Sequence, residues 1–195
     1  MQHSDRRTFL RLMLVLPAAL LSAPRQVWGL GGELPPLLAP APEFLLPGVV
    51  PDRAGKPVAT ELGLSDFRGR WLVLYFYPRD FTSGCTLEAR GFQRDLDAFA
   101  AHDAAVVGIS ADDGESHASF CDSEGLAFAL LSDQGGAVSR RYGSWIAPYS
   151  QRHTFLIDPE GLLRQHWTAV RPAGHSKEVL ATLSELQAPT GQDPA

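Results

Sequence analysis

The chain has 195 residues, of which 45% are hydrophobic and 20% are charged, and its formal net charge is −5. This size and composition are typical of one globular domain with a leader or a tail, and two cysteines are too few for a small fold held together by disulfides. The acidic balance argues against nucleic acid or an anionic membrane as a partner.

The first 29 residues are predicted to be an export signal. Arg6, Arg7 and Arg11 precede an apolar stretch, Leu12 to Ala23, which is too short for a comfortable membrane span. The segment DRRTFLR resembles a twin-arginine signal, with Asp5 where Ser or Thr is usual. An uncleaved anchor and a wrongly assigned start are the alternatives. We expect export to the periplasm or an equivalent lumenal compartment, no stable membrane association after signal removal, and a mature charge of about −8.

The remaining elements are predicted in chain order. Residues 30–42 are rich in Pro, Gly and Ala and are predicted to be a linker, so the domain should span 43–188, with a flexible tail at 189–195. Seven apolar residues, Trp71 to Tyr77, predict a central strand covered on both faces. The other expected elements are a hairpin over 44–63, helices over 85–101, 112–125 and 174–186, and strands over 104–110, 128–133 and 153–167. This alternation predicts an α/β sheet.

Cys85 is the first candidate for chemistry, because it opens a predicted helix just after a strand and a short loop. Free N–H groups and the helix dipole favour a thiolate at this place. Thr82 puts a hydroxyl three residues before the sulfur, and Pro78 and Gly84 shape a loop that a small ligand could approach closely. The alternative is a buried cysteine that serves only as a small apolar residue. The polar residues of the loop, Asp80 among them, favour reactivity.

The spacing of Pro78, Thr82 and Cys85 matches the pattern P-x-x-x-T-x-x-C, in which the chain resembles the peroxiredoxins. Within them it is similar to the peroxiredoxin Q, or bacterioferritin comigratory protein, group. The likeness covers nearly the whole chain after the linker, through LSDFRGRWLVLYFYPRDFTSGCTLEA, GISADDGESHASF, LLSDQGGAVSRRYGSW, RHTFLIDPEG and GHSKEVL in that order. The resemblance implies a thioredoxin-like fold, with a central mixed sheet flanked by helices, and the activity of an antioxidant thiol peroxidase.

The resemblance also implies roles for individual residues. Cys85 would attack the peroxide O–O bond, release water or an alcohol and become a sulfenic acid. Thr82 would hydrogen-bond the thiolate and the peroxide, and Pro78 would shield the site from water. Arg152, which opens RHTFLID, would place a fixed positive charge at the site, where it favours the thiolate and polarises the peroxide. Glu88 fits the pattern CT-x-E and is expected to orient Arg152.

Cys121 is the second candidate. Many members of the group have a resolving cysteine five residues after the first, but this chain has Arg90 there. Other members have it on the later helix, and Cys121 lies in the matching segment SHASFC. The resemblance therefore implies an intramolecular Cys85–Cys121 disulfide. The alternative is a passive Cys121 in a one-cysteine enzyme. Two sulfurs on different helices require local unwinding before they can bond.

Two rival functions stay open on the sequence alone. An exported thiol–disulfide oxidoreductase would normally use C-x-x-C, but the first cysteine of that motif is Thr82 here. A non-enzymatic domain could instead hold Cys85 and Cys121 in a structural disulfide. The six histidines have no metal-ligand spacing and no phosphate-binding loop is present, so no cofactor is expected. The resemblance implies a peroxide substrate, a thioredoxin- or glutaredoxin-like protein reductant and a monomer.

Overall fold

A computed structural model describes residues 27–188 of the chain. Eleven strands lie in this part: β1 Trp28–Gly29, β2 Gly32–Glu33, β3 Leu45–Pro51, β4 Pro57–Gly63, β5 Trp71–Phe76, β6 Ala104–Ser110, β7 Ala129–Ser132, β8 Trp145–Ile146, β9 Tyr149–Ser150, β10 His153–Ile157 and β11 Leu163–Trp167. The helices of the same part are α1 Ser83–Arg94, α2 Leu96–Ala101, α3 Gly114–Glu124, α4 Ala137–Arg141 and α5 His175–Gln187, with a 3-10 turn at Leu64–Phe67.

The main sheet has seven strands in the order β11-β10-β5-β6-β7-β3-β4. The pairs β5–β6 and β6–β7 are parallel and the other neighbours are antiparallel, so the sheet is mixed. Parallel neighbours need crossover connections, and α1 with α2 provides the first while α3 provides the second. This arrangement brings α1 and α3 close to the central strand β5, and these two helices contain the two cysteines.

Strand β5 separates the two halves of the hydrophobic core, and all six of its residues are buried. Val73 and Tyr75 point to one face, where they pack with side chains of α1, α3 and α5. Leu74 and Phe76 point to the other face and pack with residues of the segment before β3 and of α4. The uninterrupted apolar run at 71–77 is thus explained by alternate side chains entering two different clusters.

The predicted helix over 85–101 is wrong at two places. It begins at Ser83, because Thr82 takes an extended conformation and serves as the N-cap. It is also interrupted at Asp95, whose φ of −97° and ψ of 8° leave the helical region. The carboxylate of Asp95 accepts hydrogen bonds from Arg94 and from Ser176 of α5, and these side-chain contacts hold the break in place.

The segment 30–42, where we predicted a linker, packs on the domain in the structure. Leu34 and Ala41 are buried, and the N–H of Ala41 donates to the carbonyl oxygen of Gly161 at 2.9 Å. The N–H of Leu38 likewise donates to Leu163 at 2.7 Å. The folded domain therefore begins before the expected boundary at residue 43. The segment supplies apolar side chains to the half of the core that contains Leu74 and Phe76.

The predicted termini fall mostly outside the described residues. Of the predicted export signal, only residues 27–29 are described, and the tail at 189–195 is not described. Within 27–188 no helix has the length and apolar character needed to cross a membrane.

Candidate active site

Cys85 lies in the first turn of α1, which follows β5 after a six-residue loop. Thr82 is the N-cap and Cys85 is the third helical residue. The first N–H groups of a helix have no partner within it, and together with the helix dipole they favour negative charge at this position. The structure therefore confirms the predicted placement of Cys85 at a helix start, and only 1% of the residue is exposed.

Arg152 reaches Cys85 from the position just before strand β10. The antiparallel pairing of β10 with β5 sets His153 opposite Phe76, so that Arg152 lies at the end of β5 where the loop begins. Its Nη2 donates to Cys85 Sγ at 3.3 Å, and its Nη1 donates to Glu88 Oε2. One guanidinium thus bridges the sulfur and a carboxylate from the next turn of α1. The sheet register explains why two residues 67 positions apart meet here.

Burial affects the pKa values of both Glu88 and Arg152. Burial raises the pKa of Glu88 to about 7, although the Arg152 guanidinium beside it acts in the opposite direction. Burial also lowers the pKa of Arg152, but Glu88 and Cys85 outweigh this effect and the pKa is raised overall. Arg152 therefore keeps its positive charge next to the sulfur at every pH of interest.

Gly84 makes the approach of Arg152 possible. A Cβ atom at this position would lie 3.2 Å from Arg152 Nη2 and 3.7 Å from a ring carbon of Pro172. The first distance is tighter than ordinary contacts, so a side chain here would push the guanidinium away. The sequence indicated that Gly84 helps to shape the loop but did not identify Pro172, since nothing in it links position 172 to position 84.

Thr82 and Pro78 lie in the loop before α1, as predicted. The Thr82 hydroxyl donates to the carbonyl oxygen of Arg79 at 3.1 Å, so its proton points to the loop backbone and not to the sulfur. Pro78 is half-buried directly after β5 and Tyr77. The predicted roles of Thr82 in binding the peroxide and of Pro78 in excluding water stay predictions.

Cys121 lies in the last turn of α3 and is as buried as Cys85. Both thiols are free, and both belong to the core cluster on the same face of the sheet. Burial, with a smaller contribution from the negative charge of Asp80, raises the pKa of the Cys121 thiol to about 12. Cys121 is therefore a protonated thiol at neutral pH while α3 is intact.

Asp80 forms a buried polar network that the sequence did not predict. Its carboxylate accepts hydrogen bonds from the Tyr77 hydroxyl at 2.7 Å, from Ser116 Oγ at 2.8 Å and from His117 Nδ1 at 2.9 Å. Asp80 was noted only as one of the polar neighbours of Cys85. A buried aspartate needs donors, but the sequence does not tell which distant residues supply them. Within residues 27–188, no group of three or more His, Cys, Asp and Glu residues is placed to hold a metal ion.

Known proteins that are similar to this chain indicate its family. Residues 38–166 match the AhpC/TSA family. Peroxiredoxin Bcp of Bacillus subtilis is 38% identical over 131 residues, which cover 63% of this chain and 83% of that protein. Peroxiredoxin Bcp of Xanthomonas campestris is 41% identical over 133 residues, which cover 64% of this chain and 82% of that protein.

Solved structures confirm the predicted thioredoxin-like α/β fold. The structure of Xanthomonas campestris Peroxiredoxin Q has a TM-score of 0.66 and 35% identity, and the match covers 73% of this chain and 90% of that one. A reduced 2-Cys Peroxiredoxin of Plasmodium vivax has a TM-score of 0.70 and 26% identity, over 77% of this chain and 96% of that one. The chain therefore belongs to the AhpC/TSA family and, within it, to the peroxiredoxins of the Q and Bcp group, which are thiol-dependent peroxidases.

Proposed function

We propose that this peroxiredoxin reduces hydrogen peroxide and organic hydroperoxides through a sulfenic acid on Cys85, and that Cys121 resolves this intermediate as an intramolecular disulfide. The observation that carries the proposal is the contact of Arg152 with Cys85 at 3.3 Å, with Glu88 held against the same guanidinium. A fixed positive charge beside a sulfur at a helix start is the environment in which a thiolate forms and attacks.

The first step transfers one oxygen atom to sulfur. The Cys85 thiolate attacks one oxygen of the peroxide, the O–O bond breaks, and the other oxygen leaves as hydroxide or alkoxide, which takes up a proton to give water or an alcohol. Cys85 is oxidised to a sulfenic acid and the peroxide is reduced by two electrons. In this proposal Arg152 donates hydrogen bonds to the oxygens on which negative charge develops, and such donors act strongly where water is excluded.

The second step joins the two cysteines. The Cys121 thiol loses its proton, its sulfur attacks Cys85 sulfur, and the sulfenic oxygen leaves with a proton as water. Cys85 and Cys121 are 36 positions apart. Two mutant structures of Xanthomonas campestris Peroxiredoxin Q replace cysteine by serine at positions that are also 36 apart. This equal spacing supports Cys121 as the resolving residue over the one-cysteine alternative.

Organic hydroperoxides are included as substrates for two reasons. A solved structure of the Xanthomonas campestris relative is described as giving insights into the alkyl peroxide reduction activity of that protein. In this chain, Phe81 in the loop before α1 and Leu87 in its first turns expose about half of their surface, 54% and 51%. Such exposed apolar surface in the loop before α1 and on that helix suits the carbon chain of an alkyl hydroperoxide.

The disulfide must then be reduced by an external thiol, and we assign this step to a thioredoxin- or glutaredoxin-like protein. We further propose a monomer that is exported by the signal at residues 1–29. Replacing Arg6 and Arg7 with lysine tests export: the variant should accumulate in the cytosol at full length while the wild type is found outside it. A wild type that stays cytosolic would remove the export proposal without touching the chemistry.

One experiment tests the proposed chemistry. The reduced protein is treated with one equivalent of hydrogen peroxide, alkylated and mapped by mass spectrometry. The wild type should lose both thiols and contain one Cys85–Cys121 disulfide. Cys121→Ser should consume one peroxide, stop at the sulfenic acid and go on to sulfinic acid in excess peroxide. Cys85→Ser should consume none. Peroxide consumption by Cys85→Ser would refute the peroxidase assignment to Cys85, and full cycling of Cys121→Ser with a protein reductant would make Cys121 a bystander.

A further inference from the structure

We propose that Asp80 and His117 are positioning residues for the resolving step: they clamp the loop before Cys85 to helix α3 and so set how readily Cys121 is released. This inference rests on the proposed function, because it concerns the reaction of Cys121 with oxidised Cys85. It assigns a function to the buried network that the chemistry of the first step does not use.

The clamp consists of hydrogen bonds between two separate parts of the chain. Asp80 Oδ2 accepts from Ser116 Oγ at 2.8 Å and from His117 Nδ1 at 2.9 Å, and both donors lie in the first turn of α3. The backbone N–H of Asp80 donates to Asp112 Oδ2, just before the same helix, at 2.9 Å. The side chains of Asp80 and His117 are 1% and 0% exposed, so these bonds form away from water, where losing a partner of a charged group is costly.

A second contact joins the next residue of the loop to the next turn of α3. The rings of Phe81 and Phe120 meet edge to face with centroids 5.1 Å apart, and Phe120 directly precedes Cys121. Phe81 has a φ of 60°, in the left-handed region that bulky residues rarely adopt. Such a conformation persists only where its surroundings hold it. The Asp80 network and the ring contact are the surroundings that hold this loop.

The position of Cys121 explains why the clamp matters. A disulfide needs the two Cα atoms to lie within about 4.4–6.8 Å of each other, and Cys85 and Cys121 lie in two separate helices. Cys121 is in the last turn of α3, which ends at Gly125 in a left-handed conformation. Unwinding from this end must separate Phe120 from Phe81, and full opening of α3 must also break the bonds of its first turn to Asp80. The clamp therefore keeps Cys121 in its buried, protonated state until α3 opens.

The consequence is a competition between two fates of the Cys85 sulfenic acid. If α3 opens readily, Cys121 attacks and the disulfide forms. If it opens slowly, a second peroxide has time to oxidise the sulfenic acid to the sulfinic acid. Weakening the clamp should raise the open population of α3, speed disulfide formation and reduce sulfinic acid. The first step should not change, since His117 lies on α3 and does not contact Cys85 or Arg152 among the hydrogen bonds of residues 27–188.

Three variants test this. His117→Phe removes the Nδ1 donor and keeps a ring of similar size, His117→Asn keeps a donor close to the Nδ1 position, and Ser119→Ala changes an exposed residue of the same helix. Rapid mixing with hydrogen peroxide, quenching and mass spectrometry give the rate constants of sulfenic acid and disulfide formation. We expect disulfide formation in His117→Phe to be about tenfold faster than in wild type, the effect of losing one buried hydrogen bond to a charged group. His117→Asn and Ser119→Ala should stay within about twofold of wild type.

The sulfinic acid yield gives a readout that general destabilisation does not produce. At a fixed excess of peroxide, His117→Phe should contain several-fold less sulfinic acid than wild type while its first step is unchanged. If His117→Phe does not fold, Ser116→Ala removes another donor to the same carboxylate and should show the same change at about threefold. If disulfide formation in His117→Phe is unchanged or slower while its first step is intact, the proposed role of Asp80 and His117 is wrong, but Cys121 can still be the resolving residue. A wild type that forms no disulfide overturns the clamp and the proposed resolving step together, and this is visible before any variant is compared.

Discussion

Cys85 and Cys121 are equally buried, at 1% exposure each, but their surroundings differ in charge. Cys85 lies in the first turn of α1 and receives a hydrogen bond from Arg152 at 3.3 Å. Cys121 lies in the last turn of α3, where the helix dipole is negative, and the charge of Asp80 adds to burial in raising its pKa to about 12. At equal burial, the two thiols therefore differ in the sign of the charge beside them, which predicts that Cys85 is the more reactive of the two.

The largest expected difference is in the chemical reactivity of the two thiols. With a pKa of about 12, roughly one Cys121 in ten thousand is a thiolate at pH 8. In the reduced native protein, we therefore expect iodoacetamide to modify Cys85 much faster than Cys121, as measured by peptide mapping over time. In denaturant, both thiols should react at similar rates. Equal rates in the native protein would show that the two environments do not differ as described.

Removing the positive charge should make Cys85 resemble Cys121. Arg152→Met leaves the sulfur buried without its donor, and we expect the rate constant of peroxide reduction to fall about 100-fold, as when one preorganised donor is lost. Arg152→Lys keeps the charge but not the two-pronged geometry that reaches both Cys85 and Glu88, and should lose about tenfold. Single-turnover kinetics measure both. A rate for Arg152→Met within twofold of wild type would remove Arg152 from the reaction.

The next expected effect is the loss of unfolding free energy when the buried carboxyl of Glu88, which contacts Arg152, becomes ionised. Its pKa is raised from an ordinary value of 4.5 to about 7 in the folded protein, so it contributes stability below pH 4.5 that is lost as pH rises through 7. Relative to Glu88→Gln, the wild type should lose about 3 kcal/mol of unfolding free energy between pH 4.5 and 8. Urea denaturation of both proteins at several pH values gives this difference. A difference that is constant over this range would mean that Glu88 ionises as it does in water.

The smallest expected effect is that of a single methyl group at position 84. In Gly84→Ala the new carbon would lie 3.2 Å from Arg152 Nη2, which must retreat and weaken its contact with Cys85. The rate constant of peroxide reduction should fall about three- to tenfold, because catalytic groups are sensitive to displacements below one ångström. Ser83→Ala, a change at the exposed neighbouring residue, is the matched control and should have no effect. A Gly84→Ala rate equal to that of the control would show that the Arg152 guanidinium accommodates the methyl group without losing its contact with Cys85.

The sequence identified Cys85 and Arg152, which the structure brings into contact, but it did not identify the residues that surround Cys121. Cys85 at a helix start followed from local patterns, and Arg152 followed from a family resemblance. Their contact depends on the register of β10 against β5, in which His153 pairs with Phe76, and a register of this kind is not readable from one sequence. The bonds of Asp80 to Ser116 and His117 span 36 and 37 positions, and no local pattern marks such partners.

Element boundaries failed where side chains override backbone preferences. The pattern of apolar residues over 85–101 continues without a gap, but the contacts of Asp95 with Arg94 and Ser176 divide the helix. Residues 30–42 have the composition of a linker, yet Leu34 and Ala41 find apolar partners on the domain. In both cases the decisive partner lies far away in the sequence, and tertiary packing decides the outcome over local composition.

We propose that their different surroundings make Cys85 the attacking cysteine and Cys121 its partner. Trapping with dimedone, which labels sulfenic acids, shows which cysteine the peroxide oxidises. The reduced wild type and the two single serine variants are treated with one equivalent of hydrogen peroxide in the presence of dimedone, and the labelled residue is located by mass spectrometry. The label should appear only on Cys85, weakly in wild type because the disulfide competes, and strongly in Cys121→Ser. A label on Cys121, in wild type or in Cys85→Ser, would contradict the assignment of Cys85 as the attacking cysteine.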